Sequence, residues 1–338
     1  MNDILLAKPN LHNGWIDTAA GEPYIIRECL EKAFPLTPYT LPNEASIWEY
    51  PYPQGNKDLV KILEDKYHAP VVITGGAKQA LGATFYALKQ MGRITVGLQN
   101  PFWALLPPLI KMHHLIPTEG LEGHDAALLV APNNPDGHML TPEEIKNLSD
   151  RCKERSVPLI HDAAYYTHTY LPETYPLKPI GDVQIFSASK MFGLSGLRIG
   201  WCVCWNKDFY KHLVEYMEAM TVGASNVSQL FLRDLLTRMY AYPTLTAKFE
   251  GLSSIALDKS KEIIKQVNPE VLEVPANFEK LPGMFGFFKR GVKADFEKAK
   301  VNVADGKHFG MEGYIRMNLA FGEERMNEIV KRLNEGAA

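Results

Sequence analysis

The sequence predicts an α/β fold: a large domain with a mainly parallel sheet flanked by helices, joined to a smaller α+β domain. Three observations predict it. Short continuous apolar runs recur through the middle of the chain, as in strands buried on both faces. Stretches with apolar residues at helical spacing lie between them. Beyond about Asn226 this alternation stops, and long helical patterns give way to short strand-like pieces.

The strand candidates are residues 94–98 (ITVGL), 126–131 (AALLVA), 157–160 (VPLI), 183–186 (VQIF) and 199–203 (IGWCV), with 71–74 preceding a glycine pair. Helices are expected over 77–91 and 207–220. Another starts at Thr141, where Thr-Pro-Glu-Glu supplies an N-cap, a proline at the first helical position and a glutamate that closes a capping box. Farther on, 228–240, 244–266 and 323–334 read as helices, and 285–289 and 314–319 as strands. The expected division is a large domain over 45–225 and a composite small domain from 1–44 and 226–338.

Composition narrows the function. A chain of 338 residues, 46% hydrophobic, can bury a large core without disulfide staples. Its 36 basic and 39 acidic residues give a net charge of −3. That excludes a strongly basic nucleic-acid binder and a polybasic membrane-surface protein, but not a local anion pocket. Cys29, Cys152, Cys202 and Cys204 show no C-x-x-C spacing, so buried thiols in a reducing, cytoplasmic compartment are expected. Met1 to Pro9 lacks the basic and apolar regions of a signal peptide, and no apolar run approaches the ~20 residues that span a bilayer. No metal site is expected: no carboxylate pattern accompanies His113-His114, and His161, paired with His168, adjoins a strand-end aspartate with another use.

In a parallel sheet, reactive groups collect at the carboxyl ends of the strands. Four polar clusters follow four strand candidates: Gly75-Gly76-Ala77-Lys78, Pro132-Asn133-Asn134-Pro135-Asp136-Gly137, His161-Asp162-Ala163-Ala164-Tyr165 and Ser187-Ala188-Ser189-Lys190. Gly75–Lys78 is either a plain Gly-rich turn or a phosphate cradle, since small residues and free N–H groups at a helix start attract anions. Lys190 lies among small and apolar residues, an odd context for a solvated lysine and a suitable one for a Schiff-base nucleophile. Arg198, between Leu197 and Ile199, needs a partner if buried, and a phosphate is a good one. Asp162 is either a helix N-cap or the partner of a protonated pyridine nitrogen. Asn134 and Tyr165 are donors for a phenolate oxygen, or else an Asx-turn and core packing. Trp103 stacks on a ring or is core.

Taken together and in this order, Ser187-x-Ser189-Lys190-(x)7-Arg198 and Asp162-x-Ala164-Tyr165 resemble the fold type I pyridoxal-phosphate (PLP) aminotransferases of class I/II, over roughly residues 50–316. Asn133-Asn134-Pro135-Asp136-Gly137, the Ile160–Tyr166 stretch and Arg198-Ile199-Gly200-Trp201 are most similar to the alliinase and tryptophan aminotransferase branch. Tyr50-Pro51-Tyr52-Pro53-Gln54 and the short length resemble histidinol-phosphate aminotransferases instead.

The resemblance implies a role for each matching residue. Lys190 forms the aldimine with PLP and shuttles a proton. Asp162 pairs with the pyridine nitrogen, Asn134 and Tyr165 with the phenolic oxygen, and Trp103 stacks on the ring. Gly76, Ala77, Lys78, Ser187, Ser189 and Arg198 hold the phosphate. Arg316 grips the substrate carboxylate, with Asn134 beside it, and Tyr50 reaches the phosphate of a second subunit in a homodimer. The implied activity is transfer of an amino group from an L-amino acid to a 2-oxo acid. The alternative is alliinase-type C–S or β-elimination. Trp15, Tyr24, Trp48 and Tyr52 either line a pocket for an aromatic substrate or pack an aromatic-rich arm. Two departures stand out: Lys78 replaces a common Ser, Thr or acid, and the Cys-rich module of plant alliinases is absent.

Overall fold

The computed structural model describes residues 14–36, 39–40, 42–44, 47–166 and 180–336. His168 and the first thirteen residues, on which two sequence readings rest, lie outside the described residues. The strands in chain order are β1 (Ile16–Asp17), β2 (Val71–Thr74), β3 (Thr95–Leu98), β4 (Ile116–Glu119), β5 (Ala126–Val130), β6 (Leu159–Asp162), β7 (Val183–Ser187), β8 (Gly200–Cys204), β9 (Leu272–Glu273), β10 (Phe285–Arg290), β11 (Val301–Asn302), β12 (Ala304–Asp305) and β13 (Tyr314–Asn318).

Seven of them form a sheet in the order β2-β8-β7-β6-β5-β3-β4. Six run the same way, and β8 runs antiparallel to both its neighbours. Every residue of β5, β6, β7 and β8 is buried, which explains their unbroken apolar runs. On one face the helices Ala77–Gln90 and Lys207–Thr221 pack Leu81, Phe85, Phe209 and Leu213 against Val72, Leu128 and Ile160. Each such side chain contributes roughly 1.5–3 kcal/mol by leaving water. On the other face Leu59 and Leu63 of the helix Lys57–Tyr67 meet Ile73, and Ile145 and Leu148 of the helix Pro142–Glu154 meet Leu129 and Leu159. The Thr141 capping box is present: its hydroxyl accepts from Glu144 N at 3.2 Å, and the Glu144 carboxylate accepts from Thr141 N at 2.7 Å.

A smaller antiparallel sheet has the order β12-β13-β10-β9. Its register sets Arg316 opposite Phe287 and Asn318 opposite Phe285, so these four side chains share one face. The N-terminal arm joins this part of the molecule. β1 pairs in parallel with β11, and the helix Tyr24–Ala33 packs on the helix Pro243–Ile264. Among the described residues no helix is long and apolar enough to cross a membrane. All four cysteines are buried and carry free thiols.

Candidate active site

A cavity of about 580 Å³ opens where strands of the large sheet end, beneath the smaller sheet. Ala77 and Lys78 line it from the start of one helix, Asn134 from the loop after β5, and Asp162 and Tyr165 from the end of β6. Ser187, Ser189 and Lys190 enter from the end of β7, Arg198 from just before β8, Arg316 from β13 and Trp103 from the loop after β3. Residues scattered over most of the sequence thus share one space.

Lys190 occupies the middle. Its amine donates to the Gly21 carbonyl. Burial lowers its pKa from 10.5 to about 8; Arg316, Arg198 and Lys78 act in the same direction, and Glu22 opposes them. Asp162 is 6% exposed and accepts from Ala164 N at 3.1 Å. Burial raises its pKa to about 6, so it favours a cationic partner. His161 points away from the cavity, as alternation along a strand requires. It is fully buried, with Nε2 3.0 Å from the Ala131 carbonyl and Nδ1 2.8 Å from Gln184 Nε2. Burial lowers its pKa to about 4, so it is a neutral core histidine. Among the described residues no cluster of three or more His, Cys, Asp or Glu could hold a metal.

One end of the cavity is built for an anion. The helix Ala77–Gln90 begins at Gly76 with no side-chain cap, which leaves its first N–H groups facing out. Gly76 has φ +91°, and a Cβ there would sit 2.9 Å from Arg198 Nη2. Arg198 itself is in the left-handed region, φ 50°, and donates to Ser195 O at 2.9 Å and Gly75 O at 3.3 Å. Ser187 caps the short helix Ala188–Met191, accepting from Ser189 N at 3.2 Å. Lys78 holds its ammonium 5.5 Å from the centre of the Trp103 ring, and burial lowers its pKa.

The opposite end belongs to Arg316, which is 6% exposed. It donates to Asn134 Oδ1 at 2.9 Å and to the Ala19 carbonyl at 2.5 Å. Its guanidinium lies 4.2 Å from the Phe285 ring centre and 4.9 Å from that of Phe309. Its Nε is buried without a hydrogen-bond partner among the described residues. Burial lowers its pKa to about 10. Asn134 also donates to Tyr165 Oη at 3.4 Å, which links this end to the cavity floor. Burial raises the Tyr165 pKa, so the phenol stays neutral.

Some expected residues do not reach the cavity within one chain. Tyr50 is 86% exposed and lies outside it. Of the N-terminal aromatics, Tyr24 stacks on Phe321, Trp15 borders a separate recess, and Trp48 and Tyr52 are exposed. None of the four lines the cavity. Its apolar wall comes instead from Leu81, Val130 and Phe285, and Gly21, Ala164 and Ser195 complete the lining. Sequence reading overlooked these, apart from Ala164 in the Asp162-x-Ala164-Tyr165 motif. The signals present were Gly21-Glu22-Pro23 just before a helix and the Phe285/Phe287 alternation on the strand facing Arg316.

Comparison with known proteins places the chain in a family and relates its fold to solved structures. The family model described as Allinase matches residues 121–336. Tryptophan aminotransferase-related protein 2 of Arabidopsis thaliana is 26% identical over 309 residues, covering 80% of this chain and 66% of the relative. A probable aspartate/prephenate aminotransferase of Aquifex aeolicus is 24% identical over 316 residues, covering 78% and 75%. The chain therefore spans about two thirds to three quarters of the length of these relatives. Among solved structures, an aspartate aminotransferase from Thermus thermophilus with maleate superposes with a TM-score of 0.77 at 19% identity, covering 95% of this chain and 91% of that one. An aromatic aminotransferase from Pyrococcus horikoshii gives 0.75 at 17% identity, covering 99% and 97%. With the model matching most of the chain, the protein belongs to the allinase family, built on the architecture of the fold type I aminotransferases.

Proposed function

We propose that this protein is a PLP-dependent aminotransferase, moving an amino group from an L-amino acid to a 2-oxo acid. The observation that carries the reading is a lysine of lowered pKa, Lys190, set in one cavity with the buried Asp162 and the buried Arg316. The donor set fits PLP. Arg198, the uncapped helix start and the Gly76 cradle, where a side chain would collide with Arg198, suit a phosphate. Asp162 suits a protonated ring nitrogen, Asn134 and Tyr165 a ring oxygen, and Trp103 a ring face. When bound, PLP supplies an electron sink that stabilises negative charge at the substrate Cα.

The chain's own residues do the rest. Arg316 binds and orients the substrate carboxylate with its guanidinium fork, Asn134 holding one arm. Lys190 Nζ would take the proton from the substrate Cα and deliver it to the cofactor carbon on the other side of the transferred nitrogen. Its lowered pKa leaves a usable fraction of free amine near neutral pH, which suits a proton shuttle. Asp162 holds a negative charge in a dry setting, which keeps a proton on its partner. Phe285, Trp103 and Leu81 exclude water from the cavity.

The test is transfer of labelled nitrogen. The purified protein with PLP should move ¹⁵N from an L-amino acid to a 2-oxo acid acceptor, and borohydride should fix the cofactor's mass on Lys190. Release of pyruvate and ammonia from a cysteine derivative, without nitrogen transfer, would support the alliinase-type elimination instead. Phe285 on the wall favours an aromatic amino acid. A panel of L-amino acids tests this preference.

Three further proposals accompany this reading. A homodimer is supported by exposed Trp48, Tyr50, Tyr52 and Met220, and sedimentation of an active monomer would refute it. A division into 45–225 and a composite of 1–44 with 226–338 is supported by the β1–β11 pairing. Buried thiols support a cytoplasmic location.

A further inference from the structure

The N-terminal arm crosses the cavity as a strap over residues 17–22. Asp17 turns the chain by accepting from Ala19 N at 3.1 Å and Ala20 N at 3.2 Å, and Asn302 Nδ2 steadies the same carboxylate at 2.9 Å. Both ends are pinned to the smaller sheet. Thr18 O accepts from Asn318 N at 2.7 Å, and Glu22 O accepts from Asn318 Nδ2 at 2.7 Å. The middle reaches inward, with the Ala19 carbonyl on Arg316 and the Gly21 carbonyl on the Lys190 amine.

Glu22 ties this strap to the other side of the cavity. Its carboxylate accepts from the Ser195 hydroxyl. Ser195 opens the single turn Ser195–Leu197 between Lys190 and Arg198, and its own carbonyl accepts from Arg198 Nη1 at 2.9 Å. That turn is anchored from beneath, since Ser228 Oγ donates to Leu197 O at 2.7 Å. The strap is therefore bonded to the smaller sheet through the main chain and side chain of Asn318, and to the lysine loop by the Glu22–Ser195 contact and the Gly21–Lys190 bond. Space around Gly21 is tight: a Cβ there would lie 3.1 Å from the Phe285 ring and 3.4 Å from Lys190 Nζ. A small slip of the strap changes what the amine meets.

We propose that Glu22 and Ser195 are a positioning pair: their bond latches the strap so that the Gly21 carbonyl aims the Lys190 amine at the reacting carbon. The assignment rests on the proposed role of Lys190 and adds two residues that touch neither substrate nor cofactor in the reading above. Glu22→Gln keeps an acceptor for Ser195, and Ser195→Thr keeps the donor. Ser195→Ala and Glu22→Ala remove the bond.

Hydrogen exchange of the PLP-loaded protein, followed by mass spectrometry, reads the latch independently of turnover. Ser195→Ala and Glu22→Ala should each speed exchange of the strap amides about fivefold, as expected for one lost hydrogen bond, with the helix Tyr24–Ala33 unchanged. The double variant should add nothing further. In steady state, kcat should fall by roughly the same factor with KM within about twofold, and Ser195→Thr should restore both readouts. Wild-type exchange rates in Ser195→Ala, or additive effects in the double variant, would overturn the latch. Unchanged kcat beside faster exchange would overturn the aiming of Lys190. Absence of nitrogen transfer in the wild-type protein would sink the aminotransferase reading and leave the exchange result standing.

Discussion

The two arginines at opposite ends of the cavity solve different problems. Arg198 is exposed, grips main-chain carbonyls of its own loop and of Gly75, and shares its end with a bare helix start. Arg316 is buried, bonded to Asn134 and Ala19, and sandwiched by Phe285 and Phe309. The first end gathers several weak attractions for a multiply charged group and tolerates water. The second keeps one cation in a dry wall with neutral partners, so an incoming carboxylate supplies the missing charge. A permanent resident suits the first, and a ligand that comes and goes suits the second.

The deepest break lies between the two ends. Lys190→Ala should cut nitrogen transfer by about 10²–10⁴-fold, measured with the labelled donor. Arg316→Ala should come next, lowering kcat/KM by about 2–5 kcal/mol in barrier terms while PLP retention stays near normal. Arg198→Ala should do the reverse. Equilibrium dialysis should show PLP affinity down about tenfold, with a smaller change in KM for the amino acid once the cofactor saturates. If both arginine variants lost cofactor and substrate binding alike, the contrast would collapse. Gly76→Ala sharpens it. A side chain at φ +91° and 2.9 Å from Arg198 should cost about 1–2 kcal/mol in a melting experiment and weaken PLP binding, without altering substrate KM.

The smallest effect concerns pH. Asp162 has a folded pKa near 6, above its ordinary 3.8, so its contribution to stability is present at low pH and lost as pH rises from about 4 to 6. His161 is depressed from 6.5 to about 4, so its contribution is present above 6.5 and lost as pH falls toward 4. These neighbours oppose one another over the same window. Urea midpoints of cofactor-free protein should therefore change little between pH 4 and 6.5, whereas Asp162→Asn should gain stability as pH rises across it. A flat profile in Asp162→Asn would contradict the assignment of His161 as a buried neutral ring.

The contrast between the ends also explains what could be read from sequence. The phosphate end is local: Gly76–Lys78 and Ser187–Arg198 are short segments whose chemistry sits beside a strand or helix signal. The carboxylate end is assembled from Ala19, Asn134, Phe285, Phe309 and Arg316, which no spacing rule connects. Arg316 was reached through family resemblance, and its aromatic walls were missed. Among elements, β5–β8 announced themselves because burial on both faces demands continuous apolar residues. Strand β4 (IPTE) did not: it is a half-exposed edge containing proline, where tertiary pairing with β3 outweighs composition. The helices Tyr24–Ala33 and Lys57–Tyr67 were also missed, although each carries an apolar stripe at helical spacing, Ile25, Ile26, Cys29, Leu30 and Ala33 in the first and Leu59 and Leu63 in the second.

The reversed strand β8 has a consequence for how this protein can vary. A parallel successor to β7 would need a crossover of a dozen or more residues, commonly a helix, which could lengthen freely. Because β8 doubles back beside β7, the segment from Ala188 to Ile199 works as a fixed ruler between the amine of Lys190 and the guanidinium of Arg198. Descendants of this chain can gain or lose residues in outer loops at little cost. In this hairpin, an insertion or deletion of even one residue would pull the two groups out of reach of a single bound molecule.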